Sequence, residues 1–257
     1  MLLALDAGNS NVTIGAFNGD QLIHRWRLRT IQEQTADEWG VLMRNLFSFA
    51  GLELREVDGI IIASVVPPLN SSLADMSERY FATKPIFVTH ETDTGVSICY
   101  DNPLEIGADR IVNSVAAWNR FHAPCIVVDL GTAITFDTVS GNAEYLGGII
   151  CPGIAISVSA LFSRTARLPL IDFREPSALI GKNTVTAMQS GLYYGFTDLI
   201  DGLIDRLTSQ LGAATKVIGT GGQAHMIFKS SRHIREVDED ITLTGLNIIW
   251  QRVRGRG

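Results

Sequence analysis

Along the chain the spacing of hydrophobic and polar positions changes period several times, and each change marks an element. Residues 2–6 (LLALD) are an apolar run ending in a carboxylate, the pattern of a buried strand. Ala7-Gly8-Asn9-Ser10 supplies turn residues and residues 11–17 (NVTIGAF) resume strand character. After the hairpin turn Asn18-Gly19-Asp20, residues 22–28 alternate as a third strand. A helix is predicted next, with Thr35 and Glu38 as a capping box and Trp39, Leu42, Met43, Leu46 and Ala50 on one core-facing side. Residues 59–65 (GIIIASV) form a continuous apolar run, as in a strand covered on both faces, and Pro67-Pro68 ends it. The pattern then predicts a helix over 71–81 and a short strand over 84–89. A second capped helix start is expected at Asn102-Pro103-Leu104-Glu105, with Ile111, Val112, Val115 and Ala116 as its apolar face.

Residues 125–129 (CIVVD) return to the opening theme. Strands are predicted over 133–138 and 144–150, helices over about 153–163 and 184–210, and a buried strand over 216–219. A final amphipathic helix carries Leu243, Leu246, Ile249, Trp250 and Val253. LLALDAGNSNVTIGAFNGD and CIVVDLGTAITFDTVSGNA share one plan: an apolar strand, Asp-x-Gly-Asn/Thr, a strand, and a glycine-containing turn. Asp6 matches Asp129, Gly8 matches Gly131 and Asn9 matches Thr132. This spacing, close to half the chain, is too long for a solenoid period and indicates a duplicated domain. Halves at 1–118 and 119–257 follow.

Composition narrows the class. The 257 residues, 46% of them hydrophobic and 19% charged, can bury a substantial core, which excludes a disordered chain. A net charge of -6 argues against non-specific nucleic-acid binding, which rests on basic side chains neutralising phosphates. Cys99, Cys125 and Cys151 make no CxxC pair, so they read as reduced, partly buried thiols rather than a zinc site or disulfide framework. MLLALDAGNS lacks a basic n-region, and no apolar run approaches the roughly 18–20 residues that span a bilayer. A cytoplasmic protein without membrane partners is the expectation.

The chemistry is concentrated at the two Asp-x-Gly turns. Glycine at the end of a buried strand lets the backbone turn tightly and approach a phosphate closely. The following N–H groups can then face phosphate oxygens, while the carboxylate holds a cation or its water shell. One such turn is ordinarily a hairpin; two at matching positions of a repeat point to a nucleotide triphosphate and its metal. Gly219-Thr220-Gly221-Gly222-Gln223-Ala224 fits the dinucleotide fingerprint G-x-G-x-x-A, but too little chain follows for a mononucleotide-binding half. It reads instead as a glycine-rich turn against adenosine. No GxxxxGK[ST] loop is present, and no histidine lies at metal-ligand spacing. Asp137 reads as an ordinary solvent-facing strand residue and is left outside the site.

The repeat resembles the acetate and sugar kinase, heat-shock protein and actin superfamily. That likeness implies an α/β fold of duplicated ribonuclease-H-like (actin-like ATPase) domains with a nucleotide cleft between them. Further motifs narrow it. Asp6-x-Gly8-Asn9-Ser10-Asn11, Ala63-Ser64-Val65-Val66-Pro67 and Tyr100-Asp101-Asn102-Pro103 with Gly107-Ala108-Asp109-Arg110 occur in order. They are followed by Asp129-Leu130-Gly131-Thr132-Ala133-Ile134-Thr135, by Gly147-Gly148 through Pro152-Gly153, and by Thr220-Gly221-Gly222-Gln223-Ala224. Together they resemble the type III pantothenate kinases, with Ser10 standing where the family's first phosphate loop usually has Thr.

The resemblance implies an enzyme that phosphorylates pantothenate to 4′-phosphopantothenate with ATP and Mg²⁺, the first step of coenzyme A biosynthesis. By position, Asp109 is the general base. Tyr100, Gly107, Ala108 and Arg110 shape the pantothenate pocket together with Thr184, across a homodimer interface. Asp6, Ala7, Gly8, Asn9, Ser10, Asn11, Val12 and Thr13 hold the ATP phosphates with Thr132, and Asp129 binds a monovalent cation, K⁺ or NH₄⁺. Without the family context, Asp109-Arg110 at a helix start reads as an exposed ion pair and Asp129 as a turn cap. Two other functions stand beside this one: a non-catalytic regulatory or ATP-binding protein on the same fold, and a kinase for another small hydroxy acid or sugar.

Overall fold

The computed structural model of the protein describes residues 1–255. In chain order its elements are β1 (Leu2–Ala7), β2 (Asn11–Asn18), β3 (Gln21–Arg29), α1 (Ala36–Ala50), β4 (Gly59–Ser64), α2 (Pro67–Phe81), β5 (Ile86–Phe87), β6 (Ser97–Ile98) and α3 (Ala108–Phe121). They continue with β7 (Cys125–Leu130), β8 (Ala133–Val139), β9 (Glu144–Pro152), α4 (Ile154–Ser163), α5 (Thr184–Leu211), β10 (Lys216–Thr220), α6 (Ala224–Phe228) and α7 (Ile241–Arg254). The chain divides into two compact units, Met1–Ala116 with the C-terminal segment from Ile241, and Ala117–Asp240.

In the first unit the strand order is β3-β2-β1-β4-β5, with β1 antiparallel to β2 and parallel to β4. In the second, β9-β8-β7-β10 repeats that order, with β7 antiparallel to β8 and parallel to β10. The duplication extends to burial: Leu2–Ala7 and Cys125–Leu130 share one pattern, buried throughout except at Asp6 and Asp129. This is the duplicated ribonuclease-H-like architecture.

Alternation along the strands decides which face each helix covers. Leu3, Leu5, Ile14, Ile60 and Ile62 point to a core completed by Trp39, Met43 and Phe47 of α1 and Leu69, Leu73 and Met76 of α2. The Thr35 capping box forms: Glu38 N–H donates to Thr35 Oγ1 at 3.3 Å, and Thr35 N–H donates to Glu38 Oε2 at 2.8 Å. In the second unit Ile126, Val128, Ile134 and Phe136 meet Ile154 and Val158 of α4 and Phe196, Ile200 and Ile204 of α5.

Five details differ from the sequence reading. The C-terminal helix α7, which the repeat assigns to the second half, belongs to the first unit. There Leu243, Leu246 and Ile249 are buried, Asn247 Nδ2 donates to Gly19 O at 3.1 Å, and Thr242 Oγ1 donates to Asn113 Oδ1 at 2.7 Å. Helix α2 begins at Pro67 rather than residue 71, because prolines suit the first helical positions, whose N–H groups have no partner in the helix. The strand expected over 84–89 is paired only at Ile86–Phe87. Asn102 does not cap a long helix: Pro103–Glu105 is one 3₁₀ turn, Asn102 Nδ2 donates to Glu105 Oε1 at 2.8 Å, and α3 starts after Gly107. Asp137 is fully buried, not solvent-facing: Tyr145 Oη donates to its Oδ1 at 3.0 Å and Thr135 Oγ1 to its Oδ2 at 3.3 Å. A carboxylate inside a sheet persists when donors fill its lone pairs.

The thiols also separate by environment. Cys99 is exposed, whereas burial pushes the thiol of Cys125 in β7 up to about 12, which keeps it protonated and unreactive.

Candidate active site

In each unit an Asp-x-Gly turn stands at the carboxyl end of a parallel strand, where open α/β sheets bind ligands. Asp6 ends the apolar run of β1, half-buried, opposite Thr13 of β2. The turn between them is closed by Gly8 N–H donating to Asn11 O at 3.0 Å. It is braced by Thr30 at the end of β3: Thr30 Oγ1 donates to Gly8 O at 2.6 Å and its N–H donates to Ser10 O at 3.1 Å. Asn9 and Ser10 are exposed at the tip, and Gly8 and Asn11 are half-buried. Ala7 and Val12 are 0% exposed, so only their main chain is available to a ligand. Thr30 lies far along the sequence from the turn, and no local motif marks it.

Asp109 belongs to the same unit. β4 runs beside β1 with Ser64 opposite Ala7, and Val65 N–H donates to Ala7 O at 3.0 Å. Gly107 packs against Val65, with the Asp109 carboxylate folded over it; a side chain at Gly107 would overlap Asp109 Oδ1. The glycine therefore gives the carboxylate its place next to the strand pair that carries the first turn. Asp109 lies in the first turn of α3, half-buried, and Arg110 N–H donates to its Oδ1 at 2.8 Å. Burial raises its pKa above the usual carboxylate value, a shift opposed by that N–H and by the charge of Arg110. Arg110 is buried, 8% exposed, and not the solvated surface partner that the bare dipeptide suggests. Ala108 is buried and Tyr100 half-buried before the 3₁₀ turn.

The second unit repeats the first turn with one residue fewer. Asp129 stands opposite Thr135, and Gly131 N–H donates to Ala133 O at 3.1 Å. Thr132 is exposed at the tip. Gly153, which precedes α4, packs on the carbonyls of Gly131 and Thr132, so the N-terminus of α4 adjoins this turn. On the other side β10 brings Thr220 opposite Asp129. Gly221, at φ +88°, crosses Asp129 so closely that a Cβ would overlap Asp129 Oδ1 and the Leu130 backbone. The glycine-rich turn leads into α6, five residues long, which is no dinucleotide-binding helix. Thr184 is the first residue of α5 and exposed.

Among the described residues no three His, Cys, Asp or Glu side chains gather as a metal cluster, and no helix is long and apolar enough to cross a membrane. The Asp129 carboxylate, which lies against Gly131 and Gly221, presents oxygens of the kind that suit a hard cation.

Comparison with known proteins gives a consistent picture. The family model for type III pantothenate kinase matches residues 2–206. A type III pantothenate kinase of Solibacter usitatus is 61% identical over 252 residues, covering 98% of this chain and 97% of its own. One from Myxococcus xanthus is 50% identical, covering 98% of each. Among solved structures, a Campylobacter jejuni chain described as a Baf family transcriptional activator aligns with a TM-score of 0.60 at 21% identity, over 98% of this chain and 99% of its own. A Sinorhizobium meliloti chain described as a 2-dehydro-3-deoxygalactonokinase gives 0.60 at 11% identity, over 98% and 99%. These two share the fold; the full-length identity to the former pair carries the assignment, and this chain belongs to the type III pantothenate kinase family.

Proposed function

We propose that this protein transfers the γ-phosphoryl group of ATP to the primary hydroxyl of pantothenate, with Asp109 as general base. The observation that carries the assignment of Asp109 is its position: a half-buried carboxylate at the start of α3, over Gly107, beside the strand pair that bears the Asp6 turn. Phosphoryl transfer asks for alignment and charge neutralisation more than for covalent chemistry. In this reading the main chain of residues 7–12, with the side chains of Asn9, Ser10, Asn11 and Thr13, cradles phosphate oxygens. Thr132 does the same from the second turn. Asp6 holds Mg²⁺ through its carboxylate or a bound water, and Mg²⁺ supplies charge neutralisation at the phosphates. Asp129 takes K⁺ or NH₄⁺. Asp109 accepts the hydroxyl proton as the pantothenate oxygen bonds to the γ-phosphorus and the bond from that phosphorus to the β–γ bridging oxygen breaks, releasing ADP, and Arg110 balances negative charge near the acceptor.

Thr184 completes the pantothenate pocket in a homodimer. What supports this is the run of exposed apolar side chains next to it in sequence: Leu179 and Val185 are exposed, and Ile180 is 80% exposed. Exposed apolar side chains grouped in one stretch are suited to a protein interface, and a second copy is the occupant that brings two Thr184 residues into use.

The testing experiment is an acceptor screen by mass spectrometry, with ATP, Mg²⁺ and K⁺ and a panel of hydroxy acids and sugars. Pantothenate is expected to gain one phosphate, faster with K⁺ or NH₄⁺ than with Na⁺. Transfer to another acceptor alone would leave a kinase of different specificity; ATP binding without transfer to any acceptor would leave the regulatory reading.

A further inference from the structure

β10 lies at the end of its sheet and carries Thr220 and Gly221 to Asp129, so whatever holds this edge also holds the second turn. An edge strand exposes unpaired backbone groups unless something covers it. The segment 231–238 does so. Gly219 N–H donates to Glu236 O at 2.9 Å, Asp238 N–H donates to Gly219 O at 2.9 Å, and Gly219 and Val237 form a parallel bridge. Ile234 and Val237 lie where a side chain at Gly219 would stand.

The segment is tied at both ends. At one, Asp201 of α5, 2% exposed, accepts from Ser231 Oγ at 2.6 Å, from Arg232 N–H at 2.9 Å and from Arg232 Nε at 3.2 Å. Ser231 Oγ in turn accepts from Ile234 N–H at 3.0 Å, which fixes the bend that sends Ile234 inward. At the other end, Arg120 of α3 pairs with Glu236 and, at 2.7 Å, with Asp238, the residues whose main chain bonds Gly219. A buried carboxylate is costly unless donors surround it, and the donors named for Asp201 all come from this one segment.

We propose that residues 231–238 act as a clasp, held by Asp201 and Arg120, that sets Thr220 and Gly221 against Asp129 and so tunes nucleotide affinity. Both are positioning residues; neither touches the reacting atoms. The inference rests on the reading that the Asp129 turn binds ATP.

The test compares wild type, Asp201→Asn, Arg120→Ala and Arg120→Lys as full-length proteins. Binding of a non-hydrolysable ATP analogue is measured by calorimetry, and KM for each substrate by steady-state kinetics. Asp201→Asn replaces a carboxylate acceptor by an amide, and analogue Kd and ATP KM should rise about tenfold. The Arg120 pairs are more exposed, so Arg120→Ala should raise both by roughly two- to fivefold, and Arg120→Lys should recover part of the loss. kcat and pantothenate KM should stay within about twofold, a split that general loosening of the fold would not produce. Should Asp201→Asn fail to fold, the Arg120 pair of variants carries the test. Unaltered nucleotide affinity in folded variants, or equal losses in ATP KM, pantothenate KM and kcat, overturns the clasp alone. A folded wild type that does not bind the analogue overturns the reading of the Asp129 turn, and the clasp's role with it.

Discussion

At the scale of single residues, the proposal that Asp109 is the general base makes its environment the determinant of pH behaviour. A base must be unprotonated to accept a proton, and burial holds this carboxyl above its ordinary value. kcat/KM should therefore rise with pH along a limb centred above the usual carboxylate range and be lost as pH falls through it, read from a pH–rate profile. Stability has its own sign. The folded pKa exceeds the unfolded one, so ionisation opposes folding; the cost is absent below the unfolded pKa and full above the folded one. Asp109→Asn should thus melt no lower than wild type at neutral pH in a thermal scan, while kcat falls by about a hundredfold or more. Loss of activity accompanied by a large drop in Tm would mark Asp109 as structural. The Asp-x-Gly turns were legible because a carboxylate after an apolar strand is visible in one short window; Gly-Ala-Asp-Arg stood out only through the family resemblance, since by itself it reads as an exposed ion pair. Asp137 was misread because its donors include Tyr145, on the neighbouring strand β9, and only the register of β8 with β9 brings them together.

At the scale of elements, local signals succeeded where neighbours in sequence supply the partners. The Thr35–Glu38 box is such a case, with both reciprocal bonds present, and Thr35→Ala should lower stability by about 1 kcal/mol, measured by urea denaturation. A change below a few tenths would show that α1 is held by Trp39, Met43 and Phe47 alone. Signals failed where tertiary contacts decide. The strand over 84–89 pairs with β4 only around Ile86–Phe87, with Val88 N–H donating to Ile62 O at 2.8 Å, because the ladder and not β propensity sets its length. The Asn102 start yielded a single turn because Gly107 and the packing of Asp109 over it separate that turn from α3.

At the scale of the whole molecule, the repeat of Asp6 in Asp129 made the duplicated fold readable, since the same strand order needs the same succession of buried runs and turns. The placement of α7 was not readable: its apolar stripe demands a partner surface without naming which sheet supplies it. Light scattering after size exclusion should give twice the mass of one chain, and replacing Leu179 and Ile180 by Asp should yield monomers with lower activity. A monomeric, fully active wild type would remove Thr184 from a shared pocket. The most direct measurement of the central claim is a single-turnover experiment with γ-labelled ATP. Wild-type protein should move the label to pantothenate in one exponential phase, and Asp109→Asn, binding ATP as tightly, should leave it on the nucleotide. Label transfer by the variant at the wild-type rate, or none by a folded, ATP-bound wild type, would contradict the account.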